Sequence, residues 1–423
     1  MAGKLKLLVR QFDVKTAFLN GTLEENIYMK LPPGFEQSSQ VMHLRKSLYG
    51  LKQAARTWNK LLTTSLESVG FVQSEVDECL FILKQNANIC FIVVHVDDML
   101  AACSSSEMIT NVAKQLSSNF ELKDLGAVKQ FLGIDIHMSQ EGFYSINQEN
   151  YISNIADELQ LQNVKPHKYP LDPGYFKIDC QNFLEDNSDY RKIIGKLLYL
   201  SANTRPDISA SVCILAKRVQ KPRKIDMDEA LRVVKYVITT KHHVLSLNNK
   251  NMNQSLVAFT DANFGECKLD AKSNSGVICF INGAPIIWSS KKQSLVALST
   301  CEAEYYAIVE SMKEVIWLRN LLKTFNSYPE LPTTVFNDNQ STLNMISSDE
   351  YAPRTKYFGV RYHFIRDHVR LGTVNLDYVS TESNIADMLT KPLCGQRLRT
   401  LRESAGLLPP QPVSDSNVKS FCK

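Results

Sequence analysis

A chain of 423 residues, 44% hydrophobic and 22% charged, has material for two or three cores and is too apolar to be disordered throughout. A net charge of +4 leaves nucleic-acid binding open without arguing for it, because basic residues can still gather on one face. No stretch approaches the roughly 20 apolar residues of a membrane span, and the basic start MAGKLKLLVRQFD leads into no signal-peptide core. The ten cysteines show no CxxC or Cys/His zinc spacing and read as reduced thiols of an intracellular protein.

In chain order, LKLLVRQFD reads as a strand ending in an acid. SLYGLKQAARTWNKLLTTSLESVGF reads as a helix with apolar residues near 3.6 spacing, closed by Gly70. FILK and ICFIVVHVDDMLAAC read as strand, strand, tight turn, strand. EMITNVAKQLSSNF is an amphipathic helix, and FLGIDIHMSQEGFYSINQ a hairpin turning at Glu141-Gly142. Mixed order of this kind predicts an α+β layer over residues 1–164. KPHKYPLDPGYF is a proline-bearing linker opening a helical connector over 165–250, punctuated by Pro206 and Pro222. A second, α/β unit is expected over 251–408: strand SLVAFTDAN, paired strands in GVICFINGAPIIWSS, a long helix from Thr300, strand TTVFND, a short helix, helix YHFIRDHVRL, strand TVNLDYVS and a last helix ending at Pro392. His363 on that amphipathic helix reads as packing. The tail 409–423 is polar and proline-rich, with the composition of a disordered segment.

Two groups of acids stand out. Asp97-Asp98 interrupts an apolar stretch, and two adjacent carboxylates repel unless a cation lies near them. Magnesium would serve, since one or two protein carboxylates plus substrate phosphates suffice to hold it. Asp13 ends a strand that can lie beside this hairpin. On spacing alone an Asp-rich turn with Asp13 as a helix cap is the favoured account. Asp261 and Asp338 end strands, Glu304 lies one turn into the helix opened by the Ser299/Glu302 capping-box pattern, and Asp387 lies in a short helix. These four can converge at one sheet edge, or be four separate caps. Lys52, Arg56 and Lys60 recur every four residues on one helix face, which suits template phosphates or plain solvent.

The order QFDVKTAFLNGTLEENIYMKLPPGF, LRKSLYGLKQAARTWN, HVDDML resembles a reverse-transcriptase palm. TDANFGECKLDAKSNSGVICFINGAPIIWSSKKQSLVALSTCEAEYYA, FNDNQST and STESNIADMLTKPL resemble a ribonuclease H (RNase H) domain. Both match the Pol polyprotein of copia-type LTR retrotransposons, from about Phe12 to Leu408. The resemblance implies a partial palm, a helical thumb or connector and an RNase H-like domain. It implies Asp13, Asp97 and Asp98 as polymerase metal ligands, with two magnesium ions per site or manganese in their place. Phe18 becomes the bulky residue that excludes a ribose 2′-hydroxyl, and Tyr49, Gly50, Lys52 and Gln53, with Arg56 on the same helix, lie beside nucleotide and template. Asp261, Glu304, Asp338 and Asp387 become the RNase H ligands, with Glu302 left as the cap. The partners implied are an RNA template, a DNA primer, deoxynucleoside triphosphates and an RNA–DNA hybrid, in a cytoplasmic particle or the nucleus.

Three departures qualify this. His95 stands where the family carries tyrosine, Tyr357 and Gly359 stand where it has His and Asp, and twelve residues precede Asp13 where a fingers region is expected. The last predicts weak primer extension, because positioning and charge neutralisation are most of phosphoryl-transfer catalysis. The rival readings are a stable but inactive nucleic-acid-binding remnant and an integrase-like nuclease, though the latter calls for an Asp, Asp, Glu order.

Overall fold

The computed structural model describes residues 1–35, 41–139, 141–178, 181–248, 255–265, 270–348 and 359–410. It divides into two compact units, Met1–Phe131 and Leu132–Lys423. This boundary precedes the one expected at residue 164. The reason lies in hydrogen bonding and packing: the hairpin after residue 132 and the helices after it share a sheet and a core with the rest of the second unit.

The first unit runs β1 (Leu8–Val14), α1 (Ala17–Asn20), β2 (Thr22–Lys30), β3 (Val41–Lys46), α2 (Ala54–Val69), β4 (Val72–Gln73), β5 (Leu80–Gln85), β6 (Asn88–His95), β7 (Asp98–Cys103), α3 (Ser106–Leu116), β8 (Leu122–Ala127) and β9 (Gln130–Phe131). Its main sheet has the order β4-β5-β6-β7-β1-β8, and β2 and β3 form a separate hairpin. Gly70 ends α2 with a left-handed φ of 99°, as expected of the residue after a helix. The apolar face of α2 (Trp58, Leu62, Leu66) and that of α3 (Ile109, Val112, Leu116) pack on Phe12, Phe81, Ile92 and Met99 of the sheet. The β2–β3 hairpin and β8 were not legible in the sequence.

The second unit contains β10 (Ile134–Met138), β11 (Tyr144–Asn147), α4 (Glu149–Glu158), α5 (Ser188–Asn203), α6 (Ser209–Ala216), α7 (Lys224–Thr239), β12 (Val244–Ser246), β13 (Leu256–Asn263), β14 (Asn274–Ile281), β15 (Ala284–Lys292), α8 (Thr300–Thr324), β16 (Thr333–Asn337), α9 (Gln340–Ser347), α10 (Gly359–Arg370), β17 (Val374–Tyr378), α11 (Gly395–Ser404) and β18 (Leu407–Leu408). β10 and β11 form the expected hairpin, β11 continues to β12, and β12 to β18. A five-stranded sheet follows the order β15-β14-β13-β16-β17. β13, β14 and β15 are antiparallel, whereas β16 and β17 run parallel to β13. This 3-2-1-4-5 arrangement is the mixed sheet of the expected RNase H-like domain. β14 is buried along its whole length and β13 over seven of its eight residues, which is why both read as nearly continuous apolar runs. One apolar cluster joins α4, α5 and α7 to Val257, Phe259, Ile278 and Phe280 of this sheet. His363 is exposed. Tyr357 and residues 411–423 fall outside the described residues, as do the expectations attached to them.

Candidate metal centres

The register of β1 against β7 sets Asp13 opposite Asp98. Side chains directly opposite on an antiparallel pair share a face, so both carboxylates rise on one side. His95 pairs with Asp98, leaving Val96 and Asp97 as a two-residue turn. Val96 is a β-branched residue at φ 57°, a conformation that costs on the order of 1–3 kcal/mol. The turn is held by Trp58, whose Nε1 donates to Val96 O at 2.8 Å, and by Val14, whose N–H donates to Asp97 O at 2.8 Å. The strain is thus secured by a buried aromatic and by the strand that carries Asp13.

Tyr49 Oη donates to Asp97 Oδ2 at 2.7 Å, and its ring lies 4.8 Å from that of Phe18. Burial and the Asp97 contact push the Tyr49 phenol above its ordinary value. Asp97 Oδ1 is buried without a hydrogen-bond partner among the described residues. An orphaned carboxylate oxygen on a turn next to Asp98 suits a hard divalent cation. The three carboxylates are brought to one turn but do not close to within 4.8 Å of one another. Gly50 adopts φ 97°, and Gln53 forms the N-cap position of α2 without a side-chain cap bond. Lys60 pairs with Glu24 at 2.8 Å, both largely exposed. Lys52, Arg56 and Lys60 are all exposed, and Glu24 partly neutralises Lys60.

The second group is tighter. Asp261, Glu304 and Asp338 each offer an oxygen within 4.8 Å of the others, the one such group of three among the described residues. Oxygens sharing one ion at roughly 2.1 Å lie at most about 4.2 Å apart, so a cation needs little rearrangement here. Asp261 sits near the end of β13 and Asp338 just beyond β16. Ser299 caps α8, its Oγ accepting from Glu302 N at 3.2 Å, while Glu302 Oε2 accepts from Leu298 N at 2.6 Å. That engagement occupies Glu302 and leaves Glu304, two residues on, for the centre.

Burial pushes Asp261 up to about 6, with Asp387 and Asp338 adding to it and Lys391 and the Thr390 hydroxyl opposing. Glu304 is pushed up to about 9, by burial first and by Asp261 second. Both shifts express one fact: acids are crowded in a dry place without enough positive charge. A divalent cation supplies that charge, and an all-oxygen donor set is the kind magnesium or manganese takes.

Asp387 lies on the short 3-10 turn Ile385–Leu389 and is fully buried. Its carboxylate is held by Arg397, with Nε to Oδ2 at 2.8 Å, and by Lys391. It stands next to the triad but its charge is already met. Several residues of the centre were not singled out from the sequence. Asn337 Nδ2 donates to Glu304 Oε2 at 2.9 Å, and the Thr390 hydroxyl donates to Asp261 Oδ2. Asn337 and Asn384 also both donate to Thr260 O, at 3.2 and 3.1 Å. Thr390 and Lys391 follow Asp387 by three and four residues, one turn of helix, which is the signal that would have found them.

Residues 1–173 match the family described as reverse transcriptase (RNA-dependent DNA polymerase). The chain is 35% identical over 403 residues to the retrovirus-related Pol polyprotein from transposon RE1 of Arabidopsis thaliana, covering 94% of this chain and 27% of that polyprotein. It is 34% identical over 309 residues to the putative transposon Ty5-1 protein of Saccharomyces cerevisiae, covering 72% of this chain and all of that protein. Among solved structures it is similar to a foamy viral protease-reverse transcriptase in complex with dsDNA, at 13% identity and a TM-score of 0.48, covering 88% of this chain and 68% of that one. The chain spans less than a third of the length of the plant polyproteins it matches. The ordered motifs and the identity to RE1 and Ty5-1 over most of the chain place it in one family: it belongs to the Pol polyproteins of copia-type retrotransposons.

Proposed function

We propose that this chain is the reverse transcriptase and RNase H portion of such a Pol protein, with the palm ending at the Phe131 boundary of the first unit and not at 164, a thumb or connector following it to residue 250, and 251–408 as the RNase H-like domain. Its best-supported activity is hydrolysis of the RNA strand of an RNA–DNA hybrid. The observation that carries this reading is the triad of Asp261, Glu304 and Asp338, the first two buried, with oxygens within 4.8 Å. Magnesium bound there would supply a polarised water and neutralise phosphate charge. The chain's own residues do the positioning: Asn337 orients Glu304, Thr390 orients Asp261, and Arg397 with Lys391 fixes Asp387 beside them. Asp13, Asp97 and Asp98 would hold the polymerase ions, Tyr49 setting the Asp97 carboxylate and Phe18 standing beside Tyr49 where an incoming sugar would pass.

The test is cleavage of a labelled RNA–DNA hybrid by the purified chain with magnesium or manganese. Cleavage that disappears with Asp261→Asn is the expected result. Intact hybrid binding without cleavage supports the remnant reading. That reading is favoured by one observation, the pairing of Asp387 with Lys391 and Arg397, which leaves the fourth acid already neutralised.

A further inference from the structure

Helix α11 forms one wall of a cavity in the second unit, lined by Lys168, His243, Gly395, Gln396, Arg399 and Arg402 among others. Three independent features give it the character of an anion site. The first is the helix start. Cys394 at the N-cap contributes no side-chain hydrogen bond, and the first backbone N–H groups of a helix have no partner within it and carry the positive end of its dipole. Gly395 and Gln396 at that start both line the cavity. Gly395 also brings the neighbouring segment close: a Cβ there would stand 3.1 Å from Lys168 Cβ and 3.3 Å from Lys168 O.

The second feature is a buried excess of positive charge. Arg205 binds Asp207 in bidentate fashion, Nε to Oδ1 at 2.9 Å and Nη2 to Oδ2 at 2.8 Å. Tyr236 Oη donates to the same Asp207 Oδ2 at 2.8 Å. Asp207 is thereby saturated. Arg402, only 8% exposed, reaches this group through Nη1, which donates to Tyr236 Oη at 3.1 Å. It makes no ion pair among the described residues, and its Nε has no hydrogen-bond partner among them. Two buried guanidiniums thus face one carboxylate, and a buried charge without a counter-ion is strongly disfavoured. Burial, with Arg402 and Arg205 adding to it, holds His243 neutral, so the imidazole offers a hydrogen bond without a charge.

The third feature is the rim. Lys168 and Arg399 are exposed cations of the lining, and Glu403, an acid that also lines the cavity, is exposed as well. Backbone N–H groups and two guanidinium forks from α11, with the Lys168 ammonium from the preceding loop, call for a ligand with several acceptor oxygens and more than one negative charge. Phosphate meets that description better than a carboxylate.

We propose that the cavity beside α11 binds a phosphate dianion, either free inorganic phosphate or the terminal phosphomonoester of a nucleic-acid strand. None of its lining residues belongs to either acidic cluster, and it needs no metal, so it is testable with divalent ions removed.

The test uses the full chain in EDTA. Inorganic phosphate is titrated calorimetrically, and short single strands with and without a 5′-phosphate are titrated by fluorescence anisotropy. The variants are Lys168→Ala/Arg399→Ala, which changes exposed side chains, and Arg402→Met. Saturable phosphate binding that drops at least tenfold in the double variant supports the site. If strand binding shows no preference for the phosphorylated end, the ligand is free phosphate. A preference of tenfold or more, competed away by phosphate, assigns it to a strand end. Absence of phosphate binding at millimolar concentration together with equal affinity for both strands overturns the proposal. So does phosphate binding that the double variant leaves intact. If Arg402→Met does not fold, the double variant decides.

Discussion

Gly276 tests whether the second acidic centre depends on the close seating of the segment that carries Asp387 and Thr390. It lies in the middle of β14, directly opposite Asp261 on β13, so a side chain at 276 would rise on the face that holds the Asp261 carboxylate. A Cβ there would stand 2.8 Å from Ala386 O, 2.8 Å from Thr390 Cγ2 and 2.9 Å from Leu389 Cβ. Ordinary contact begins at 3.4 Å, and one of the three obstacles is backbone. Neither side yields easily, because Ala386 and Leu389 are fully buried. Overpacking of this kind costs about 1–3 kcal/mol, and three simultaneous clashes place Gly276→Ala at about 2 kcal/mol or above. That corresponds to a fall of roughly 3 °C in the unfolding midpoint of a unit this large. The same displacement pulls the Thr390 hydroxyl off Asp261, so manganese affinity measured calorimetrically should fall with stability. A variant within about 0.5 kcal/mol of the parent, with unchanged manganese affinity, would show that the seating is not what holds the centre.

Gly195 is the contrasting case: it is exposed in the middle of α5, and a Cβ added there would meet nothing within 4 Å. Gly195→Ala should stabilise by about 0.5–1 kcal/mol through helix propensity, read as a rise in urea midpoint. A fall would mean that α5 is not helical there. Thr390→Val removes the hydroxyl donated to Asp261 and should cost about 1–3 kcal/mol. Thr390→Ser should recover most of it, and equal losses in both variants would count against the hydrogen bond. His243 gives a pH signature. Burial, then Arg402 and Arg205, lower its imidazole from 6.5 to about 4. The unfolded imidazole gains a proton below 6.5 and the folded one only near 4, so its stability contribution is full above 6.5 and is lost as the pH falls between those values. Allowing for solvent screening of a partly exposed ring, the loss at pH 5 relative to pH 7.5 is about 1 kcal/mol. Denaturation of the chain and of His243→Gln at both pH values isolates it, and parallel profiles would contradict the shift.

The parts of the fold that were legible in the sequence are those where burial imposes a pattern. α2 and α3 present one apolar face, β13 and β14 are buried on both faces, and the Ser299/Glu302 pair marks the start of α8. Segments without such a pattern escaped. α11 begins at Gly395 after a cysteine, with no Ser, Thr, Asp or Asn to announce it, and carries Leu398 and Leu401 among charged neighbours. β2 and β3 alternate weakly because most of their residues are exposed. At the sites, a search for metal-binding acids finds carboxylates and passes over the neutral residues that orient them. Asn337, Asn384 and Thr390 are invisible to it, although two of them share the Thr260 carbonyl as an anchor.

Those neutral residues bear on why the second centre is shaped for a cation. Asp261 and Glu304 repel each other in a buried place, and repulsion alone would favour rotating one carboxylate outward. Hydrogen bonds from Thr390 and Asn337 hold them inward, and the donors come from separate segments, after the 385–389 turn and at the end of β16. Asn337 and Asn384 fasten both segments to the same carbonyl on β13. The carboxylates are thus held close by groups that add no positive charge, while Arg397 is directed to Asp387 and Lys391 is shared between Asp387 and Asp261. Such an arrangement leaves a deficit of positive charge at the three oxygens. A divalent ion supplies what the protein withholds, and this preorganised deficit is the physical basis for reading the triad as a metal centre.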